Sequence, residues 1–180
     1  MTDASRNVIW FDTGACTEIA CVGGKGANLG RLTQQGFVVP PGFVVGTDAY
    51  RAHIASAGLA DGIAGLLAQA NYDKPEELDA TLAQIRALIT GTELSPALID
   101  QIAAAYGQLG SNIYVAVRSS GTAEDLEGAS FAGLHDTYLD IHGKTALIDA
   151  VKRCWASLWT SRAVFYRHSQ GFDHFQTAIA

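Results

Sequence analysis

The stretch IYVAVRSSGT (Ile113–Thr122) and, after a glycine-dotted interval, DTYLDI (Asp136–Ile141) decide how the rest of the chain is read. The apolar, β-branched run Ile113–Val117 predicts a buried-type strand that ends in Arg118-Ser119-Ser120-Gly121-Thr122. Thr137–Ile141 predicts a second strand, and the hydroxyl-rich segment from Ser119 to Gly133 predicts the loop between them. A guanidinium at the end of such a strand is costly to place unless a carboxylate or a phosphate meets its planar fork. Arg118 therefore has two readings: a structural ion pair with an internal acid such as Asp136 or Glu124, or a contact to an anion. Ser119 and Ser120 lack the GxSxG setting of a nucleophile elbow, which sets a hydrolase aside.

Working towards the N-terminus, Val8–Phe11 reads as a short strand stopped by Asp12-Thr13-Gly14. VGGKGANLG (Val22–Gly30) then passes from glycines into a helical pattern that Gly36 closes at the C′ position. Unsatisfied backbone N–H groups at the start of a helix attract anions, glycines let a phosphate approach the main chain, and Lys25 adds a mobile charge. The bland alternative is a glycine turn with a solvated lysine. Neither familiar phosphate loop fits. Walker A needs Gly where Ile19 stands and Ser or Thr where Gly26 stands, and the dinucleotide fingerprint needs Gly where Leu29 stands. Phe37–Val39 and Phe43–Val45 read as extended chain on either side of Pro40-Pro41-Gly42, and Thr47 or Asp48 caps a helix that ends near Gly58.

The middle of the chain predicts packing helices. Leu78, Leu82, Ile85 and Ile89 form one stripe between Pro75 and Gly91. Ser95-Pro96 opens another helix with Leu98, Ile102 and Tyr106 on one face, stopped at Gly107 or Gly110. Towards the C-terminus a long helix opens at Thr145 and turns Leu147, Val151, Cys154, Trp155 and Leu158 inward, and QTAIA (Gln176–Ala180) begins a strand-like alternation. No repeat or linker divides the chain, so residues 1–180 are read as one domain of α+β class, with helices packed on a small mixed sheet.

Composition narrows the function. The chain has 180 residues, 48% apolar and 17% charged, a length that buries roughly 70% of the unfolded surface without staples. Twelve basic against eighteen acidic residues, a net charge of −6, argue against nucleic acid as a partner, because counterion release needs surplus cations. Three cysteines without metal spacing read as buried fillers in a reducing compartment, and the five histidines show no ligand spacing, so no metal site is predicted within the chain. Glu124 and Asp125 read as turn caps rather than magnesium ligands. Neither a secretion signal nor a membrane-length apolar run is present, which predicts a cytoplasmic protein with no membrane partner.

Taken together, VGGKGANLG, VPPGF (Val39–Phe43), VAVRSSGTAEDLEGASFAGLHDTYLDI (Val115–Ile141) and CWASLWTSRAVFYR (Cys154–Arg167) resemble the N-terminal nucleotide-binding region of phosphoenolpyruvate synthases, pyruvate phosphate dikinases and rifampicin phosphotransferases. The resemblance implies the first part of an ATP-grasp-like domain. It implies that Lys25 and Arg118 contact ATP phosphates as the catalytic cations, with Gly133 and Thr137 beside the same phosphates. In this family the phosphoryl group passes from ATP to a histidine on a separate swivelling domain, and then to pyruvate or an antibiotic hydroxyl. The adenine pocket, the acidic Mg²⁺ ligands, the phosphohistidine domain and the acceptor domain match nothing in this sequence. The expectation is a kinase-type phosphotransferase portion that is inactive alone, its partners being ATP and those remaining domains. The alternatives are the ATP-binding domain of a rifampicin phosphotransferase, or a non-catalytic nucleotide-binding module of the same fold.

Overall fold

The helix Pro75–Gly91 (α4) organises the middle of the chain. In the computed structural model, which describes residues 6–56, 58–110, 112–122 and 136–180, proline stands at the first position of the helix Pro75–Gly91, and Glu76 and Glu77 lie in its positive first turn. Leu78, Leu82, Ile85 and Ile89 are its buried stripe, and they form the floor of the main core. Gly133, Glu124 and Asp125 lie outside the described residues.

The described elements run in the order β1 (Val8–Trp10), a 3₁₀ turn (Gly14–Thr17), α1 (Ile19–Gln34), β2 (Phe43–Val45), α2 (Thr47–Ala55), α3 (Leu59–Leu67), α4, α5 (Pro96–Leu109), β3 (Tyr114–Arg118), β4 (Thr137–His142), α6 (Lys144–Ala156), a second 3₁₀ turn (Ser157–Trp159) and α7 (Ser161–Ser169). The main core joins α2 to α7, with Trp155, Trp159, Ile63, Ile102 and Leu158 at its centre. A smaller cluster of Ile9, Cys16, Cys21, Val22, Ala27 and Val44 lies under β1 and β2.

The class is α+β, as the sequence predicts, but the strands do not join in one mixed sheet. They form two separate antiparallel ribbons, β1 with β2 and β3 with β4. In the second ribbon Val115 faces Ile141 and Val117 faces Tyr138. The intervals are unequal, so a bulge falls opposite Ala116, with Asp140 at φ +56°. The extra residue keeps both pairs on the face packed against α6, whereas a plain ladder would turn one of them outward. Nor is β3 a buried strand. Tyr114, Ala116 and Arg118 are exposed, and only Val115 and Val117 lean on the core. An apolar run of five therefore served one covered face and one open face.

Other boundaries follow local chemistry. Gly36, at φ +82°, donates to Thr33 O (3.1 Å) and Phe37 donates to Leu32 O (3.1 Å), the paired bonds of a Schellman stop at the predicted C′ glycine. The long helix predicted from Thr145 breaks at Ser157, whose hydroxyl donates to Cys154 O (2.6 Å), and Thr160 restarts it by accepting from Ala163 N (3.4 Å). Helix α3 was not read from the sequence, because LADGIAGLL contains two glycines that weaken a helical reading.

Candidate functional site: the glycine turn docked on the β3 end

The GGKG segment opens the longer, second part of α1, as the sequence predicts. The helix begins at Ile19, and Gly23 interrupts it at φ +67°, ψ 177° before it resumes at Gly24. Only glycine takes that conformation without strain, and only glycine fits, because a side chain at Gly23 would strike the backbone of Ser120. Past the kink, Gly24 N donates to Gly121 O (3.1 Å) and Gly26 N donates to Ser120 Oγ (3.1 Å). Two of the amides that the sequence offers to an anion are therefore taken by the chain's own Ser120-Gly121 turn. The glycines let backbone meet backbone.

This docking brings together segments 94 residues apart. Lys25 sits, half-buried, between the two stitched glycines, and Arg118 lies two residues before Ser120, at the end of β3. Thr137 is the cross-strand partner of Arg118. Ser119 closes the same end of the ribbon through its N–H (3.3 Å) and its hydroxyl (3.0 Å), both donated to Asp136 O. The Arg118 guanidinium is exposed, and among the described residues no carboxylate pairs with it. The Asp136 carboxylate accepts instead from the Tyr138 hydroxyl (2.9 Å). Of the four residues expected at the phosphates, Lys25, Arg118 and Thr137 belong to segments joined at this turn, and Gly133 lies outside the described residues.

Burial and charge also shift the groups behind the ribbon. The Cys154 thiol, on α6 behind the ribbon, is pushed up to about 12, chiefly by burial and next by Asp136, while Arg153 and Lys25 oppose the rise. Tyr138 is also pushed up to about 12, by burial and then by its bond to Asp136, and the Arg153 guanidinium lies 4.0 Å from its ring centre. Cys16, Cys21 and Cys154 are free and buried. Among the described residues no three His, Cys, Asp or Glu side chains gather as a cation site.

The far side of the turn is held by residues 177–180. Ser120 and Ala180 exchange both backbone bonds (2.9 Å each), and Thr122 N donates to Ala178 O (3.0 Å), so the alternation read in QTAIA does pair in extended form. Sequence reasoning missed Ser120 as the residue that fixes the glycine turn. The available signal was a small hydroxyl between a strand end and a glycine, where a side chain can accept a backbone N–H.

A protein-family profile described as "Pyruvate phosphate dikinase, AMP/ATP-binding domain" matches residues 19–180. The chain belongs to this family. Among curated proteins, it is 42% identical to a probable phosphoenolpyruvate synthase of Pyrococcus abyssi, over 95% of this chain and 25% of that protein. It is 45% identical to a probable phosphoenolpyruvate synthase of Staphylothermus marinus, over 94% of this chain and 21% of that protein. It is 38% identical to the phosphoenolpyruvate synthase of Pyrococcus furiosus, over 95% of this chain and 26% of that protein. The chain thus spans about a quarter of the length of these relatives, as part of a dikinase-type AMP/ATP-binding domain. Among the described residues no helix is long and apolar enough to cross a membrane.

Proposed function

We propose that the chain is the phosphate-contacting part of the ATP-binding domain of a phosphoenolpyruvate synthase, which moves a phosphoryl group from ATP, through a phosphohistidine on a partner domain, to pyruvate. The observation that carries the reading is the pair of bonds from Gly24 and Gly26 to Gly121 and Ser120, because it ties the chain position of Lys25 to the strand end that bears Arg118. Phosphoryl transfer is mostly positioning and charge neutralisation. Lys25 supplies a point charge and Arg118 a fork for two phosphate oxygens, with Thr137 and Gly133 lining the same place. Mg²⁺, its ligands held elsewhere in the protein, would neutralise further charge on the triphosphate. The cytoplasm is the compartment that three reduced thiols fit.

Pyruvate is favoured over an antibiotic acceptor by the names of the relatives, which are phosphoenolpyruvate synthases. Calorimetry with Mg-ATP tests the assignment. Arg118→Ala and Lys25→Ala are each expected to weaken binding by about tenfold or more, as loss of a charge-assisted phosphate contact should. A chain whose affinity ignores both changes would remove these cations from the site.

A further inference from the structure

Behind the β3–β4 ribbon, on the side where Tyr138 meets α6, lies an open groove of about 570 Å³ between α4, α6 and the start of α7. Three guanidiniums from three elements line it: Arg86 on α4, Arg153 on α6 and Arg162 on α7. In a chain of net charge −6 this is a local excess of cations, because among the described residues the lining acids are Asp79 and Asp136. Both acids have partners. Asp79 takes the Ser161 hydroxyl and lies 3.6 Å from Arg86 Nη2, and Asp136 takes the Tyr138 hydroxyl.

Two of the arginines are held in place. Arg86 Nη1 donates to Trp159 O (2.9 Å), and Arg153 lies over the Tyr138 ring at 4.0 Å. Arg162 is exposed and makes no ion pair among the described residues. The first turn of α7 adds backbone donors. Thr160 Oγ1 accepts from Ala163 N, whereas the N–H groups of Ser161 and Arg162 have no acceptor within their helix by position. Thr90 and Thr160 bring hydroxyls to the same walls.

From this arrangement we infer a second anion site, separate from the Lys25–Arg118 turn, that takes a phosphate-type dianion: inorganic phosphate or a phosphate monoester. A planar carboxylate is satisfied by one fork, whereas cations on three walls and a helix N-terminus suit an anion with several oxygens pointing apart. The inference does not rest on the ATP reading and stands if Lys25 and Arg118 bind nothing.

The test is a titration of the isotope-labelled chain, followed by backbone amide and arginine Nε resonances, with inorganic phosphate, glycerol phosphate and succinate in separate arms. Saturable shifts of the Ser161 and Arg162 amides and of Arg153 Nε with either phosphate support the site, and the tighter of the two names its source. Arg162→Gln and Arg153→Gln should each weaken this binding by about tenfold. Both altered arginines are exposed, and circular dichroism checks that the fold persists. Shifts that never saturate, affinity unchanged from the parent chain in both arginine variants, or succinate binding as tightly as phosphate would overturn the assignment.

Discussion

At Gly23 and Ser120 the chain depends on single atoms. A methyl group at position 23 meets two penalties, a strained positive φ and collision with the Ser120 backbone. Gly23→Ala is therefore expected to cost at least about 2 kcal/mol, seen as a lowered urea midpoint. Ser120→Ala removes the acceptor of the buried Gly26 N–H without changing shape and should cost about 1–3 kcal/mol in the same measurement. Ser120→Thr, which keeps the hydroxyl, separates loss of the bond from crowding. Lys25 and Arg118 are legible as cations of interest because of the company they keep in sequence, glycines for one and a strand end for the other. The partner of their backbones is not legible, because hydrogen bonds across 94 residues leave no periodic trace.

Helices α4 and α5 are the most legible elements. Their stripes, N1 prolines and the Ser95 cap, which accepts from Leu98 N (3.3 Å), all agree with one another. Leu82, fully buried on α4, is expected to cost about 2–5 kcal/mol when cut to alanine. At the restart of α7, Thr160→Ala should cost about 1 kcal/mol by loss of the N-cap, and thermal unfolding would record both changes. The boundary between α6 and α7 is harder to read, because CWASLWTSRAVFYR keeps a helical apolar pattern straight through the Ser157–Trp159 turn. The ribbons were hardest of all. Three-residue strands carry too little alternation to show their partners, and the bulge in β4 at Leu139–Asp140 depends on what lies opposite it, Ala116 in β3.

For the molecule as a whole, falling pH acts on its buried and half-buried histidines. Arg167 is fully buried, its charged form disfavoured to about 10 by burial, and it donates through Nε to His174 Nδ1 (3.2 Å) and through Nη2 to Leu158 O (2.7 Å). His174 is pushed down to about 4, by burial first and then by Arg167, and His53, bonded to Ile89 O, is lowered by burial. A histidine depressed in the folded state takes up its proton more readily when unfolded, so its contribution is present above pH ~6.5 and fades as pH falls towards the folded value. For His174 the loss between pH 7 and 5 should be about 1 kcal/mol after allowing for its partial exposure. His174→Gln, unfolded in urea at both pH values, should flatten that slope. Neither histidine was legible as a pH-sensitive group, since burial is a property of the fold. Fold class and helical core were legible from pattern and composition. The glycine turn has one mechanical result: the helix carrying the ammonium cannot swing on its own. Prising it from the strand end would break two hydrogen bonds from buried amides, a penalty of about 2–6 kcal/mol.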